Sequence, residues 1–150
     1  MGAIVEIRNV VKDYPLGNLR VRALHGVSMD VHKGEFAAIA GPSGSGKTTM
    51  LNLIGCMDVA TEGDVKIDGI STTNLDDKGL TNLRLNKLGF VFQTFNLVAV
   101  LDVYQNVEFP LLLQGKLSPA DREKRVLEMV EKVGLSKQLR QRPSELSGGQ

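Results

Sequence analysis

The chain has 150 residues, 42% of them hydrophobic, and its 18 basic and 17 acidic side chains leave a net charge of +1. That length suits one domain, or most of one, with a core of its own. The near-neutral balance speaks against nucleic-acid binding, which needs a clustered basic face, and the single cysteine, Cys56, excludes an internal disulfide.

No apolar run reaches the ~20 residues of a membrane helix, and no charged-then-apolar leader opens the chain. Met1-Gly2 begins a myristoylation pattern, but Glu6 stands where Ser or Thr is needed. A reduced, cytosolic setting follows, with Cys56 as a small buried apolar residue. Any work at a membrane then runs through a partner.

In chain order, Ile4 to Val10 alternates apolar and polar residues and predicts a strand. A loop with Pro15 and Gly17 follows, then a second β-rich stretch from Val21 to Val31, closed by the turn signal His32-Lys33-Gly34. Phe36 to Ala40 is a short continuous apolar run, the pattern of a strand covered on both faces in a parallel sheet. Thr48 to Gly55 carries helical apolar spacing through Met50, Leu51, Leu53 and Ile54. Asp64 to Ile67 predicts a strand between the turns Glu62-Gly63 and Asp68-Gly69.

Leu75 to Leu88 predicts a helix on leucines 80, 83 and 88, and Gly89 to Gln93 a strand. Asp102 to Gly115 predicts a helix bent or divided at Pro110. Ser118-Pro119-Ala120-Asp121 is a helix start with Ser as cap, Pro at the first position and an acid in the first turn. That helix runs to about Val133, with Gly134 as its stop. It places Val126, Val130 and Val133 on one face and lets Asp121 pair with Arg125 on the surface.

Residues 41–48 read G-P-S-G-S-G-K-T, directly between the apolar run and the helix after it. Strand, G-x-x-x-x-G-K-[ST], helix is the full context of a phosphate-binding loop. Gly41, Gly44 and Gly46 let the backbone wrap close to phosphate oxygens. With Ser43 and Ser45 they present successive N–H groups as an anion nest, backed by the helix N-terminus. Lys47 reaches the β- and γ-phosphates, the Thr48 hydroxyl is placed to ligate Mg²⁺, and Thr49 offers a hydroxyl near the α-phosphate end. A ligand-free Gly/Ser turn is the bland alternative. The motif by itself does not choose among kinases, GTPases and transport ATPases, and a small-molecule or nucleoside kinase stays open at this point.

The chain ends L-S-G-G-Q, at residues 146–150. Alone this is a surface turn; about a hundred residues after a phosphate loop it is highly specific. On these motifs the chain, from Val5 to Gln150, resembles the nucleotide-binding domain of ATP-binding-cassette (ABC) proteins. The stretches G-P-S-G-S-G-K-T-T-M-L-N-L-I-G, G-F-V-F-Q-T-F-N-L and R-P-S-E-L-S-G-G-Q are most similar to the ATPase subunits of the lipoprotein-release and macrolide-export group.

The resemblance implies an α/β fold of the P-loop NTPase class, with an N-terminal antiparallel β-region and a helical subdomain. Residues 1–93 would hold the β-region and phosphate-loop core, and 94–150 the helical part. Tyr14 takes the position of an aromatic that stacks on adenine; otherwise it is a loop tyrosine packed on the sheet. Gln93 takes the place of a glutamine that ligates Mg²⁺ and helps hold the attacking water; otherwise its amide bonds its own backbone. Lys47 and Gln93 are thus the catalytic candidates, with Thr48 and Gln93 on the metal. Residues 94–104 would form part of a groove that receives a membrane permease, although each apolar residue there suits an ordinary core as well. Two such domains would pair head-to-tail as a homodimer, so that Ser147, Gly148, Gly149 and Gln150 act on the partner's ATP.

The resemblance also implies parts beyond Gln150: an apolar strand ending in Asp and Glu, a loop contacting the partner site, and a switch histidine. His25 and His32 both precede the phosphate loop and do not replace the last. The expectation is therefore an incomplete core, weak nucleotide binding and no measurable hydrolysis by a polypeptide of these 150 residues alone. The leading function is the ATPase subunit of an ABC transporter, cytoplasmic and held at the inner face of the membrane by its permease. The alternatives are a soluble ABC ATPase of translation or DNA repair, and a non-catalytic ATP-binding remnant.

Overall fold

In a computed structural model, which describes residues 2–150, the alternating N-terminal segment opens a long hairpin. Met1, the first residue of the acylation-like pattern, lies outside the described residues. Strand β1 spans Ala3–Leu16 and pairs antiparallel with β2, Leu19–His32, so both strands outrun their sequence signals. Pro15 and Gly17, expected in a loop, stand at the hairpin end, where Pro15 pairs with Arg20 across a turn at Gly17 and Asn18. Strand β3, Glu62–Ile67, pairs antiparallel with the other edge of β1, and the two-residue β4, Ile70–Ser71, completes a sheet in the order β2-β1-β3-β4.

Where β3 starts, Gly63 has φ +83° and passes so close to β1 that a Cβ would lie 2.4 Å from the Asn9 oxygen. Only glycine fits there. The irregularity of β1 around Asn9, itself at positive φ, accommodates this approach. Alternate residues of the sheet, Ile7, Val65 and Ile67, turn inward onto Met50 and Leu53 of helix α1, Lys47–Ile54, and onto Leu80 and Leu83 of α2, Asp77–Lys87. Helix α2 begins where the Asp76 carboxylate accepts the Gly79 N–H at 2.8 Å. The buried Cys56 sits in the same core.

Two expected strands are not formed. Residues 35–41 and 88–92 carry no strand, and the ring of Phe36 and the side chain of Val91 are almost fully exposed. An apolar run becomes a strand only when neighbours satisfy its backbone groups, and no described strand pairs with either segment.

The chain divides into two compact units between Phe90 and Val91, which puts Gln93 in the second. The second unit is helical. Helix α3, Val103–Gln114, starts with a capping box between Asp102 and Gln105 and runs undivided through Pro110. Helix α4, Pro119–Lys132, is capped by Ser118 as its sequence predicts, and Val126 and Val130 pack on Val103, Val107 and Leu135. Val133 does not join that face: it follows the last turn and is 68% exposed. Nor does Asp121 pair with Arg125, because its carboxylate accepts the Ser118 hydroxyl while Arg125 meets Glu128. The ion pair that joins the two helices is Arg122–Glu108 at 2.7 Å, less than one-fifth exposed on each side.

Candidate functional site

The glycine-rich loop leads into α1 without a side-chain cap. Gly44 and Gly46 have φ of +79° and +87°, left-handed conformations that glycine reaches without strain. Gly46 has a second reason to lack a side chain: a Cβ would lie 2.8 Å from the Ala23 carbonyl oxygen and 2.9 Å from the Leu24 side chain. The loop thereby lies close against β2 at Ala23 and Leu24.

The first bond inside α1 runs from the Met50 N–H to the Gly46 carbonyl at 2.9 Å, and no side chain caps the helix. The N–H groups of Lys47, Thr48 and Thr49 are the donors that a helix start leaves without an intrahelical acceptor. They point out of the helix's positive end, where an anion is favoured by roughly 0.3–1 kcal/mol or more. Ser43, Gly44, Ser45, Gly46, Lys47, Thr48 and Thr49, with Ala23, line an open cleft of about 250 Å³. The Lys47 ammonium donates to the Gly41 and Pro42 carbonyls, at 2.8 and 2.7 Å, which holds the cation beside the loop rather than out in solvent. The arrangement therefore offers backbone donors, one cation and the four hydroxyls of Ser43, Ser45, Thr48 and Thr49 to a polyanion.

For a divalent ion, Thr48 gives one exposed hydroxyl in the first turn of α1. Among the described residues no group of three or more His, Cys, Asp or Glu side chains is gathered for a metal. That donor set fits Mg²⁺, which keeps several waters and takes its remaining ligands from substrate phosphates and one or two protein groups.

Tyr14 belongs to the same unit but lies outside the residues that line the cleft. Its half-buried ring is tethered by a network that no sequence spacing announces. The phenol donates to Asp58 Oδ2 at 2.9 Å, and the Lys12 ammonium lies 5.0 Å from the ring centroid. Lys12 also donates to Asp58 Oδ1 and to the Val59 carbonyl. Burial pushes the Asp58 carboxyl up, but the Lys12 ammonium, the Val59 N–H and the Tyr14 hydroxyl outweigh it and hold the group below the usual carboxylate range. A side-chain hydroxyl near an acid 44 residues away is invisible to any local pattern.

In the second unit, Gln93 is exposed in a segment without regular structure. The stretch 94–104 runs into α3, with Phe95, Leu97, Val98 and Val100 exposed and Val103 buried. Leu97, Val103, Val107, Leu135 and Leu146 line an apolar cavity of about 110 Å³. Ser147 to Gln150 closes on itself: the Gln150 amide oxygen accepts the Ser147 N–H and hydroxyl at 2.9 and 3.1 Å, and the Gln150 N–H donates to the Ser147 carbonyl. Gly148 and Gly149 are exposed in that turn. No helix among the described residues is long and apolar enough to cross a membrane.

A family model described as ABC transporter matches residues 24–150. An uncharacterized ABC transporter ATP-binding protein of Methanocaldococcus jannaschii, MJ0796, is 47% identical over 150 residues, which covers 98% of this chain and 64% of that protein. The macrolide export ATP-binding/permease protein MacB of Mannheimia succiniciproducens is 44% identical over 98% of this chain and 23% of its own length. The dimeric post-hydrolysis structure of the MJ0796 cassette, bound to ADP and Pi, superposes with a TM-score of 0.87 at 48% identity, covering 97% of this chain and 64% of that one. The chain thus spans under two thirds of the length of these relatives.

Proposed function

This chain belongs to the ABC transporter family, and from that premise we propose that it is the ATP-binding subunit of a transporter. It binds ATP at Gly41–Thr49 and hydrolyses it in a head-to-tail homodimer, and the cycle drives a separate membrane permease of the export or lipoprotein-release type. The observation that carries this is the uncapped start of α1: three free N–H groups and the Lys47 ammonium gathered on one cleft. The MJ0796 dimer with ADP and Pi supports the nucleotide and the pairing, and the ATP-binding/permease arrangement of MacB supports a membrane partner.

The residues divide the work as follows. The loop N–H groups hold phosphate oxygens without reorganising, which is what makes preorganised dipoles effective against developing charge. Lys47 exchanges its carbonyl partners for the β- and γ-phosphates, and Thr48 offers its hydroxyl to Mg²⁺. When bound, Mg²⁺ neutralises phosphate charge. The family resemblance adds Gln93 as an amide for metal and attacking water, Tyr14 as the adenine platform, and Ser147, Gly148, Gly149 and Gln150 as donors to the partner's nucleotide. It also adds residues 94–104 as the permease-facing segment, which would keep the subunit cytoplasmic and peripheral to the membrane.

Calorimetric titration with Mg·ATP and with adenosine tests the core of this reading. ATP should bind and adenosine bind far more weakly, and Lys47→Ala should weaken ATP at least about tenfold, the effect of one lost charge-assisted contact. Equal binding of ATP and adenosine, or an unchanged affinity in Lys47→Ala, would sink it.

A further inference from the structure

We propose that Asp58 is a positioning residue for base recognition: its carboxylate anchors the Tyr14 ring through the phenol hydroxyl, while Lys12 backs one face of that ring. The inference rests on the reading of Tyr14 as the adenine contact and adds to it the group that holds the platform still.

One carboxylate serves two side chains here. Asp58 Oδ1 takes the Lys12 ammonium and also the Val59 N–H, the latter at 2.8 Å. Its second oxygen is left for the Tyr14 hydroxyl at 2.9 Å. The charge of Asp58 is thus already balanced by Lys12, so the phenol bond adds orientation rather than charge compensation. Lys12 is in turn fixed by the Val59 carbonyl at 2.8 Å, with only about a tenth of its side chain exposed.

The loop that carries Asp58 is itself strapped to β1. The Thr61 N–H donates to the Val11 carbonyl, and the Thr61 hydroxyl accepts the Asp13 N–H, both at 2.9 Å. Both bonds meet β1 within three residues before Tyr14 and tie the segment that follows Asp58 to the strand that carries the ring. A tyrosine held only by its backbone has a broad ring torsion. Here the tip is tied by a hydrogen bond and one face carries a cation within the ~6 Å range of cation–π attraction. A planar base then stacks on the opposite face, against a ring whose freedom is already lost, and that preorganisation favours affinity. The same logic makes the contribution specific to the base: the side-chain hydrogen bonds of Lys12, Tyr14 and Asp58 go to one another and to Val59, not to the loop residues Ser43 to Thr49 of the phosphate cleft.

The test compares Mg·ATP with inorganic tripolyphosphate, which has the charge but no base, by calorimetric titration of the wild-type chain and of Tyr14→Phe, Asp58→Ala and Tyr14→Ala. The expected result is a roughly three- to tenfold loss of ATP affinity in Tyr14→Phe and in Asp58→Ala. Tripolyphosphate affinity should not change, and a double variant that combines Tyr14→Phe with Asp58→Ala should be no weaker than either single one. Tyr14→Ala should lose the whole base-dependent part. If Tyr14→Phe and Asp58→Ala bind ATP as the wild type does while Tyr14→Ala does not, the anchor is refuted and the platform stands. If Tyr14→Ala leaves the ratio of ATP to tripolyphosphate affinity unchanged, the platform reading itself falls, as it does if the wild type binds no ATP. Equal losses for both ligands would make the network purely structural and overturn the proposal. Tyr14→Phe leaves the Lys12–Asp58 pair intact, so the test survives even if Asp58→Ala does not fold.

Discussion

Replacing Gly46 by alanine challenges two features of the site at once. The residue sits at φ +87°, where an L side chain costs about 1–2 kcal/mol. The added Cβ would also meet the Ala23 carbonyl oxygen at 2.8 Å and the Leu24 side chain at 2.9 Å. Leu24 can turn aside, but a carbonyl in β2 moves only with the strand, and such overpacking costs about 1–3 kcal/mol more. Gly44→Ala is the internal control. It has a similar φ of +79° but nothing within 4 Å of the new atom, so it carries the conformational term alone. Urea denaturation followed by circular dichroism should therefore give Gly46→Ala a loss of about 2–5 kcal/mol against about 1–2 for Gly44→Ala. Mg·ATP affinity should fall more in Gly46→Ala as well, because β2 can relieve the contact only by displacing the loop. Equal stabilities for the two variants would show that the approach to β2 does not set the loop.

Two other outcomes follow from ion pairs. Asp58 titrates below its ordinary value of about 3.9 when folded, so its pairing stabilises the chain above that pH and is lost as pH falls through the lower folded value. Asp58→Asn should be less stable than wild type at pH 7, and the gap in denaturation midpoint should close as pH drops below about 4; a gap that is constant with pH would refute the assignment. In the helical unit, Glu108→Ala should cost about 1–3 kcal/mol by leaving the mostly buried Arg122 without its carboxylate. The double variant Glu108→Leu with Arg122→Met should recover most of that loss in the same thermal melt, and failure to recover would mean that the cost lies elsewhere.

The elements that could be read from the sequence are those whose signals are local. Ser118-Pro119 starts α4 because a hydroxyl, a fixed φ and an acid all act within one turn. The start of α3 at Asp102 is of the same kind. Phe36 to Ala40 and Gly89 to Gln93 are the opposite case. Their apolar runs state that something should cover them, but a parallel strand is defined by its neighbours, and those lie far away in sequence. The extension of β1 through Lys12 and Asp13 has the same origin. Nothing polar there favours a strand, yet pairing with β2 carries it to Leu16.

The same division runs through the site. The phosphate loop is legible because its chemistry is compressed into eight neighbouring residues, and each glycine has a conformational or steric reason visible at its own position. Base recognition is not compressed in this way. Tyr14 draws attention only through resemblance to a family, whereas the groups that would make its ring a useful platform are a lysine two residues before it and an acid after α1. A phosphate is recognised by charge and by N–H groups, which a short backbone turn supplies by itself. A base offers a flat, weakly polar face, and a single ring meets it well only when other side chains stop that ring from turning. Those side chains come from wherever the fold brings them, so the half of the nucleotide with the least charge is also the half whose recognition is hardest to read from the chain.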